Sequence, residues 1–159
     1  MLQSVKNFIQ NISSLGKEED VEPLFDASDK KLAAAALMFH VIAADGVVQE
    51  EEQAKLRSIL CTHYDVDAAD IEKLVQQAKL ADSEAVDLYA FTSTLKNQLS
   101  NDERILLVED LWEMVFADGE LHEFEDNIVW RVAELIAVSP QDRMTMKQRV
   151  QKRYSNNSE

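Results

Sequence analysis

Residues that crosslink or punctuate a chain are nearly missing here: 159 residues include one cysteine, two prolines and three glycines. The single cysteine, Cys61, excludes an internal disulfide and a cysteine-based zinc site, as expected for a reducing, cytoplasmic setting. No long apolar run occurs, and the N-terminus lacks a small-residue cleavage site, so neither a membrane span nor a signal peptide is expected. Positive charge is also short. Sixteen Lys and Arg face thirty Asp and Glu, a net charge of −14. Phosphate-rich partners need a cationic surface, so nucleic acid and anionic membrane are excluded as main partners. Five of the cations (Arg143, Lys147, Arg149, Lys152 and Arg153) fall between Gln141 and Arg153 beside one acid, Asp142. That segment carries +4 and the rest of the chain −18. It reads as a last helix whose cations complement its own C-terminal dipole and the acidic body, or as a docking surface for an acidic partner.

What the chain has is helical spacing, with no convincing period-2 strand. Leu32, Ala35, Ala36, Phe39, Ile42 and Ala43 form one stripe behind Ser28 as N-cap. Leu56, Ile59, Leu60 and His63 form the next, and Asp67 can cap a helix carrying Ile71, Leu74, Val75 and Ala78. A helix from about Glu84 to Leu99 buries Leu88, Phe91 and Leu95. Ser100 and Glu103 have capping-box spacing ahead of Ile105, Val108, Trp112 and Val115. Phe124, Ile128, Val132 and Leu135 make a further face, and Ser139–Pro140 starts the last helix. The fold class is all-α, a single-domain bundle of about eight helices. Residues 1–27 read as an amphipathic helix (Leu2, Val5, Phe8, Ile9, Ile12) and a connector holding Pro23. The helix reads as packed on the main body, with membrane-surface binding the weaker alternative because only Lys6 and Lys17 are nearby. The domain proper spans 28–153, and 154–159 reads as a frayed tail.

Two of the three glycines belong to one repeated phrase. Ala43–Glu52 reads AADGVVQEEE, and Phe116–Glu125 reads FADGELHEFE, 73 residues later. Over the fifteen positions Met38–Glu52 and Leu111–Glu125 there are five identities, where chance gives about one, so an internal duplication is expected. Apolar positions match in kind, Phe39 with Trp112 and Ile42 with Val115 among them. Further on, YDVDAAD and IAVSPQD correspond after a one-residue slip. The bundle is thus built from two pseudo-repeated units, about 30–80 and 103–152. Gly46 and Gly119 sit where a helix ends and the chain turns back, a left-handed position that glycine occupies at least cost.

The aspartates before those glycines face the negative end of a helix dipole, a mildly unfavourable position chosen twice. In one reading Asp45 and Asp118 cap the helix that follows, and the glutamates favour its first turn. In the other, Asp45 with Glu52, and Asp118 with Glu125, offer oxygen ligands to a hard divalent cation. Glu50, Glu123 and His122 are weaker candidates, and His122 aligns with Gln49, so a symmetric histidine site is excluded. The twelve-residue calcium-loop spacing and any Glu-x-x-His pattern are absent.

These phrases, with the ending WRVAELIAVS, resemble the TerB family of tellurite-resistance-associated domains, related to the N-terminal region of DjlA-type co-chaperones. The resemblance covers roughly Lys30 to Arg149. It implies an all-helical fold of two pseudo-repeats with an acidic patch holding a divalent cation, here Asp45, Glu52, Asp118 and Glu125. It implies a bacterial cytoplasmic protein of stress response, with a protein partner in a membrane-associated assembly and no enzymatic activity. No J-domain signature is present, so a co-chaperone role lacks support.

Three function classes follow. The first is a non-enzymatic binding or scaffold module whose acidic turns take a cation or a basic partner. The second is a metal-dependent hydrolase using paired carboxylates, for which no nucleophile–base set stands out. The third is a structural or protein-interaction helical domain without metal, as a homodimer or other small oligomer. Cys61 reads as core-facing, and His40 and His63 as packing histidines.

Overall fold

Lys30–Ile42 forms the first helix, α1, and it is apolar around almost its whole circumference. A helix of that kind is stable only at the centre of a bundle. Ala33, Ala34, Ala35, Ala36, Leu37, Met38, Val41 and Ile42 are all buried, a wider surface than the single stripe expected from the sequence. The computed structural model describes residues 29–44, 46–117, 119 and 123–157. Six more helices follow: α2 (Glu50–His63), α3 (Ile71–Glu84), α4 (Tyr89–Gln98), α5 (Asn101–Val115), α6 (Glu123–Leu135) and α7 (Pro140–Asn157). Among the described residues there are seven helices and no strand, so the fold is all-α. The expected helix at residues 1–12 lies outside the described residues, as does the expected cap Ser28.

Each helix start has a local cause. Asp29 caps α1, its Oδ1 accepting from the Lys31 N–H at 2.7 Å. The capping box at α5 forms as its spacing predicts. Ser100 Oγ accepts from the Glu103 N–H at 3.2 Å, and Glu103 Oε1 accepts from the Ser100 N–H at 2.9 Å. Ser139 Oγ accepts from the Asp142 N–H at 3.1 Å, and Pro140 opens α7. Asp67 does not cap α3 directly. A turn intervenes, closed by the Asp70 N–H on the Asp67 carbonyl at 2.9 Å, and the helix begins at Ile71.

Two expected spans shift. The helix expected from Glu84 is split, because Glu84 ends α3 and the chain bends through 86–88 before α4 begins at Tyr89. At the C-terminus α7 continues past Tyr154 to Asn157, and the Tyr154 hydroxyl donates to the Glu113 carbonyl at 3.1 Å.

The core-facing register of α6 also differs from expectation. Phe124 is 70% exposed, and the buried face is Glu125, Val129, Val132 and Ala133, with Ile128 and Leu135 at its margin. Of the expected stripe only Val132 is fully buried. One position of rotation on a helix moves a side chain by about 100°, which turns Phe124 outward and puts Glu125 and Val129 on the seam beside Val132.

The order of packing is reciprocal. The first helix of each triplet packs most closely on the third, α1 on α3 and α5 on α7. The two first helices also meet each other, while α2 leans on α5 and α6 leans on α1. Helix α4 bridges the triplets by packing on α1 and α6. At the centre of the second triplet Trp112 is fully buried, with the Phe116 ring at 6.1 Å and the Trp130 ring edge-on at 6.5 Å. Lys147 places its Nζ 5.2 Å from the Trp112 ring centroid, and Lys79 sits likewise 5.6 Å from that of Phe39.

Candidate functional site

The two Asp-Gly turns repeat each other bond for bond. In the first, the Ala43, Ala44 and Gly46 N–H groups donate to the carbonyls of Phe39, Val41 and Ala43 at 3.0, 3.3 and 3.0 Å. In the second, Phe116, Ala117 and Gly119 donate to Trp112, Met114 and Phe116 at 2.9, 3.1 and 2.9 Å. Gly46 and Gly119 both have φ +82°, the left-handed region that costs a residue with a Cβ about 1–2 kcal/mol. A Cβ at either would meet no atom within 4 Å, so backbone conformation, not crowding, is what calls for glycine. Further along, Asp65 (φ +52°) and Ala137 (φ +63°) are the two described non-glycine residues with positive φ. They are matched partners across the one-residue slip. At Ala137 the turn is a Schellman cap, with the Val138 N–H donating to the Ala133 carbonyl at 2.9 Å and the Ala137 N–H to Glu134 at 3.1 Å.

Each turn is followed by a helix whose third residue is a buried glutamate. Glu52 is 2% and Glu125 1% exposed, and they stand at matched positions in the first turns of α2 and α6. Two carboxylates withdrawn from water at equivalent places are costly unless their oxygens are engaged. Part of that engagement is local for Glu52, whose Oε1 accepts from the Gln49 N–H at 3.1 Å. Glu50 and Glu123 point to solvent. The remaining predicted ligands Asp45, Asp118 and His122 lie outside the described residues. Among the described residues, no three His, Cys, Asp or Glu side chains gather as a metal-holding group. The donor chemistry of Glu52 and Glu125, hard carboxylate oxygen, fits calcium, magnesium or manganese better than a soft metal.

A second polar constellation escaped the sequence reading. A groove of about 360 Å³ runs between α2 and α5, lined by Lys55, Thr62 and His63 on one wall and by Glu109, Asp110 and Glu113 on the other. Asp110 is 1% exposed, and its Oδ1 lies 2.8 Å from His63 Nδ1. Burial pushes its carboxyl up from the ordinary 3.8 to about 7, with His63 opposing the shift and Glu109 and Glu113 adding to it. His40 makes the corresponding kind of contact with Asp82 at 2.7 Å. Both histidines are thus paired with a carboxylate, but neither packs into the core: their side chains are 38% and 37% exposed, so His63 does not join the buried stripe of Leu56, Ile59 and Leu60. The signal for Asp110 was available: it falls on the Leu107–Leu111–Met114 side of α5, where a carboxylate interrupts an apolar stripe.

Helix α7 brings the cations to this acidic wall. Arg153 bridges Glu109 and Glu113 and Arg149 approaches Glu109 at 3.8 Å, while Lys55 reaches Glu113 at 3.4 Å from α2. On the other side Lys147 pairs with Asp126 at 2.8 Å. The basic last helix is thus docked on the acidic body, as the charge split anticipates.

Compared with known protein families, residues 31–148 match the family described as Tellurite resistance protein TerB. The chain belongs to the TerB family. That match includes both Asp-Gly turns, both buried glutamates and the whole of α2 through α6, so the TerB module comprises nearly all of the described bundle. No curated protein and no solved structure matches the chain significantly. Among the described residues of this TerB domain, no helix is long and apolar enough to cross a membrane.

Proposed function

We propose that this TerB domain is a non-enzymatic binding module that takes a divalent cation at its paired acidic turns and presents the loaded face to a protein partner. The observation that carries the reading is the matched burial of Glu52 and Glu125, each seven residues after the Asp of its turn. Two acids seven residues apart can approach across a helix–turn–helix where neither helix alone would bring them together, which is the pairing this reading requires. Like charges at that range raise one another's proton affinity, and a cation between them removes the repulsion. The cation is held by oxygen donors alone, so it serves structure and recognition rather than redox chemistry. In this reading the protein acts in the cytoplasm of a bacterium, in a stress response of the tellurite-resistance type and beside a membrane-associated assembly.

Calorimetric titration with calcium, magnesium, manganese and zinc tests the proposal directly. The expected result is saturable heat with one of the hard cations and a rise in melting temperature at saturation, because a ligand that binds only the folded state stabilises it. The double variant Glu52→Gln, Glu125→Gln removes both effects. Wild-type protein that shows only the non-specific response of ordinary salt would overturn the proposal.

A further inference from the structure

Two histidine–aspartate contacts join helices in this bundle, and they differ in how dry they are. His40 Nδ1 lies 2.7 Å from Asp82 across the α1–α3 seam, and His63 Nδ1 lies 2.8 Å from Asp110 across the α2–α5 seam. Asp82 keeps 14% of its side chain in solvent, whereas Asp110 keeps 2%. The second oxygen of Asp110, Oδ2, is buried and has no hydrogen-bond partner among the described residues. Both His63 and Asp110 stand on the walls of the groove of about 360 Å³, so water is close at hand. A neutral acid tolerates an orphan oxygen at modest cost. A carboxylate does not, because half of its charge then sits on an atom without a donor.

The charges around the pair do not relieve that cost. On α5 its neighbours Glu109 and Glu113 are themselves acids. The nearby cations are held by those acids: Lys55 of α2 by Glu113, Arg149 of α7 by Glu109, and Arg153 of α7 by both. Lys30 and Lys31 of α1 line the adjoining cavity on the far side of His63, beside Asp65 and Glu103. Tyr64, on the same wall, is kept neutral by its burial and by Asp110 itself. Within ion-pair distance of Asp110 the described residues supply only the His63 ring.

We propose that His63 and Asp110 form a proton-operated latch on the α2–α5 seam. With the proton on, the neutral acid seals the seam. When the proton leaves, the carboxylate draws groove water to Oδ2, and the C-terminal turn of α2 lifts from α5 while the rest of the bundle stays folded. Burial of the carboxyl, opposed by His63 and reinforced by Glu109 and Glu113, sets the release at about pH 7. The seam is therefore closed below that value and loosened above it. The His40–Asp82 contact is no latch, because water already reaches Asp82.

Hydrogen exchange on the full chain, read amide by amide beside the carboxyl carbon shift of Asp110, tests the proposal. From about pH 6 to about pH 8 the amides of residues 59–63 are expected to speed up about tenfold relative to Asp110→Asn at the same pH. Comparison at equal pH removes the intrinsic acceleration of exchange by hydroxide. The midpoint coincides with the titration of the Asp110 carboxyl. His63→Gln moves both midpoints to higher pH, since the imidazole favours the ionised carboxyl. A merely structural contact would lose protection at every pH and move no midpoint. Should Asp110→Asn fail to fold, the amides of residues 79–82 on the α1–α3 seam of the wild type serve as the reference. A carboxyl that titrates while exchange at the α2–α5 seam stays level overturns the proposal. So does a carboxyl ionised throughout that range, or an equal acceleration at both seams, which assigns the effect to the net charge of −14.

Discussion

Asp110 and His63 are joined at 2.8 Å across the α2–α5 seam, one carboxyl almost wholly buried and one imidazole with 37% of its side chain open to solvent. The asymmetry decides how the pair responds to pH. In the unfolded chain the Asp110 carboxyl titrates near 3.8, and in the folded chain near 7. Between those values the folded state holds a proton that the unfolded state has released. Its contribution to stability is therefore full below about pH 4, falls as pH rises, and is gone above about 7. Asp110→Asn removes this dependence. The melting-temperature difference between Asp110→Asn and wild type is expected to move in favour of the variant from pH 5 to pH 8, by the equivalent of on the order of 2 kcal/mol. Comparison with the variant matters, because a chain of net charge −14 gains self-repulsion over the same range. A difference that stays flat from pH 5 to 8 would show that Asp110 is ionised in the folded protein throughout.

Trp112 anchors the second triplet. Its ring is fully buried between Phe116 and Trp130, and its indole N–H has no acceptor among the described residues. Trp112→Ala is expected to cost roughly 3–5 kcal/mol in urea denaturation, since the cavity left by an indole cannot collapse in a packed helix pair. Trp112→Phe retains most of the contact and removes the unpartnered donor, so its cost is nearer about 1 kcal/mol. At the matched position Phe39 is only partly buried, and Phe39→Ala is expected to cost less than Trp112→Ala.

Arg153 separates charge from packing in the docking of α7. Deleting the helix outright would also remove Met146 and Val150 from the core, so truncation cannot isolate the electrostatic part. Arg153→Glu leaves the core intact and places a third acid beside Glu109 and Glu113. Because Arg153 is 47% exposed, the loss is expected to be about 1 kcal/mol at low ionic strength. It shrinks further in 0.5 M salt, where screening shortens the reach of surface charges. A loss that is independent of salt would assign the contact to packing by the aliphatic stem.

Most of the fold was legible because helical spacing, capping residues and the repeated phrase are local signals. Ser100–Glu103 and Ser139–Pro140 open their helices where the sequence places them. What escaped depends on contacts distant in the chain. Phe124 fits a helical stripe as well as Glu125 does, and only the approach of α5 and α1 selects the face holding Val129. Asp110 draws its character from His63, 47 residues away. For the acidic turns the sequence offered two uses of one carboxylate. The Gln49–Glu52 hydrogen bond engages one oxygen of Glu52 in a capping box, while the two uses of Asp45 and Asp118 lie outside the described residues.

Gly46 and Gly119 allow the cost of those turns to be measured without touching an acid. Both have φ +82° with open space around the missing Cβ, so substitution adds conformational strain and nothing else. Gly46→Ala and Gly119→Ala are each expected to cost about 1 kcal/mol, and Gly→Asn at the same positions less, because asparagine tolerates the left-handed region better. Equality of the two alanine costs follows from the bond-for-bond match of the turns, and denaturant midpoints at fixed m-value report it. Adding the cation that binds the wild type separates a second effect. If the turn presents its Asp to that ion, the alanine variants lose affinity as well as stability, whereas a turn that only reverses the chain loses stability alone.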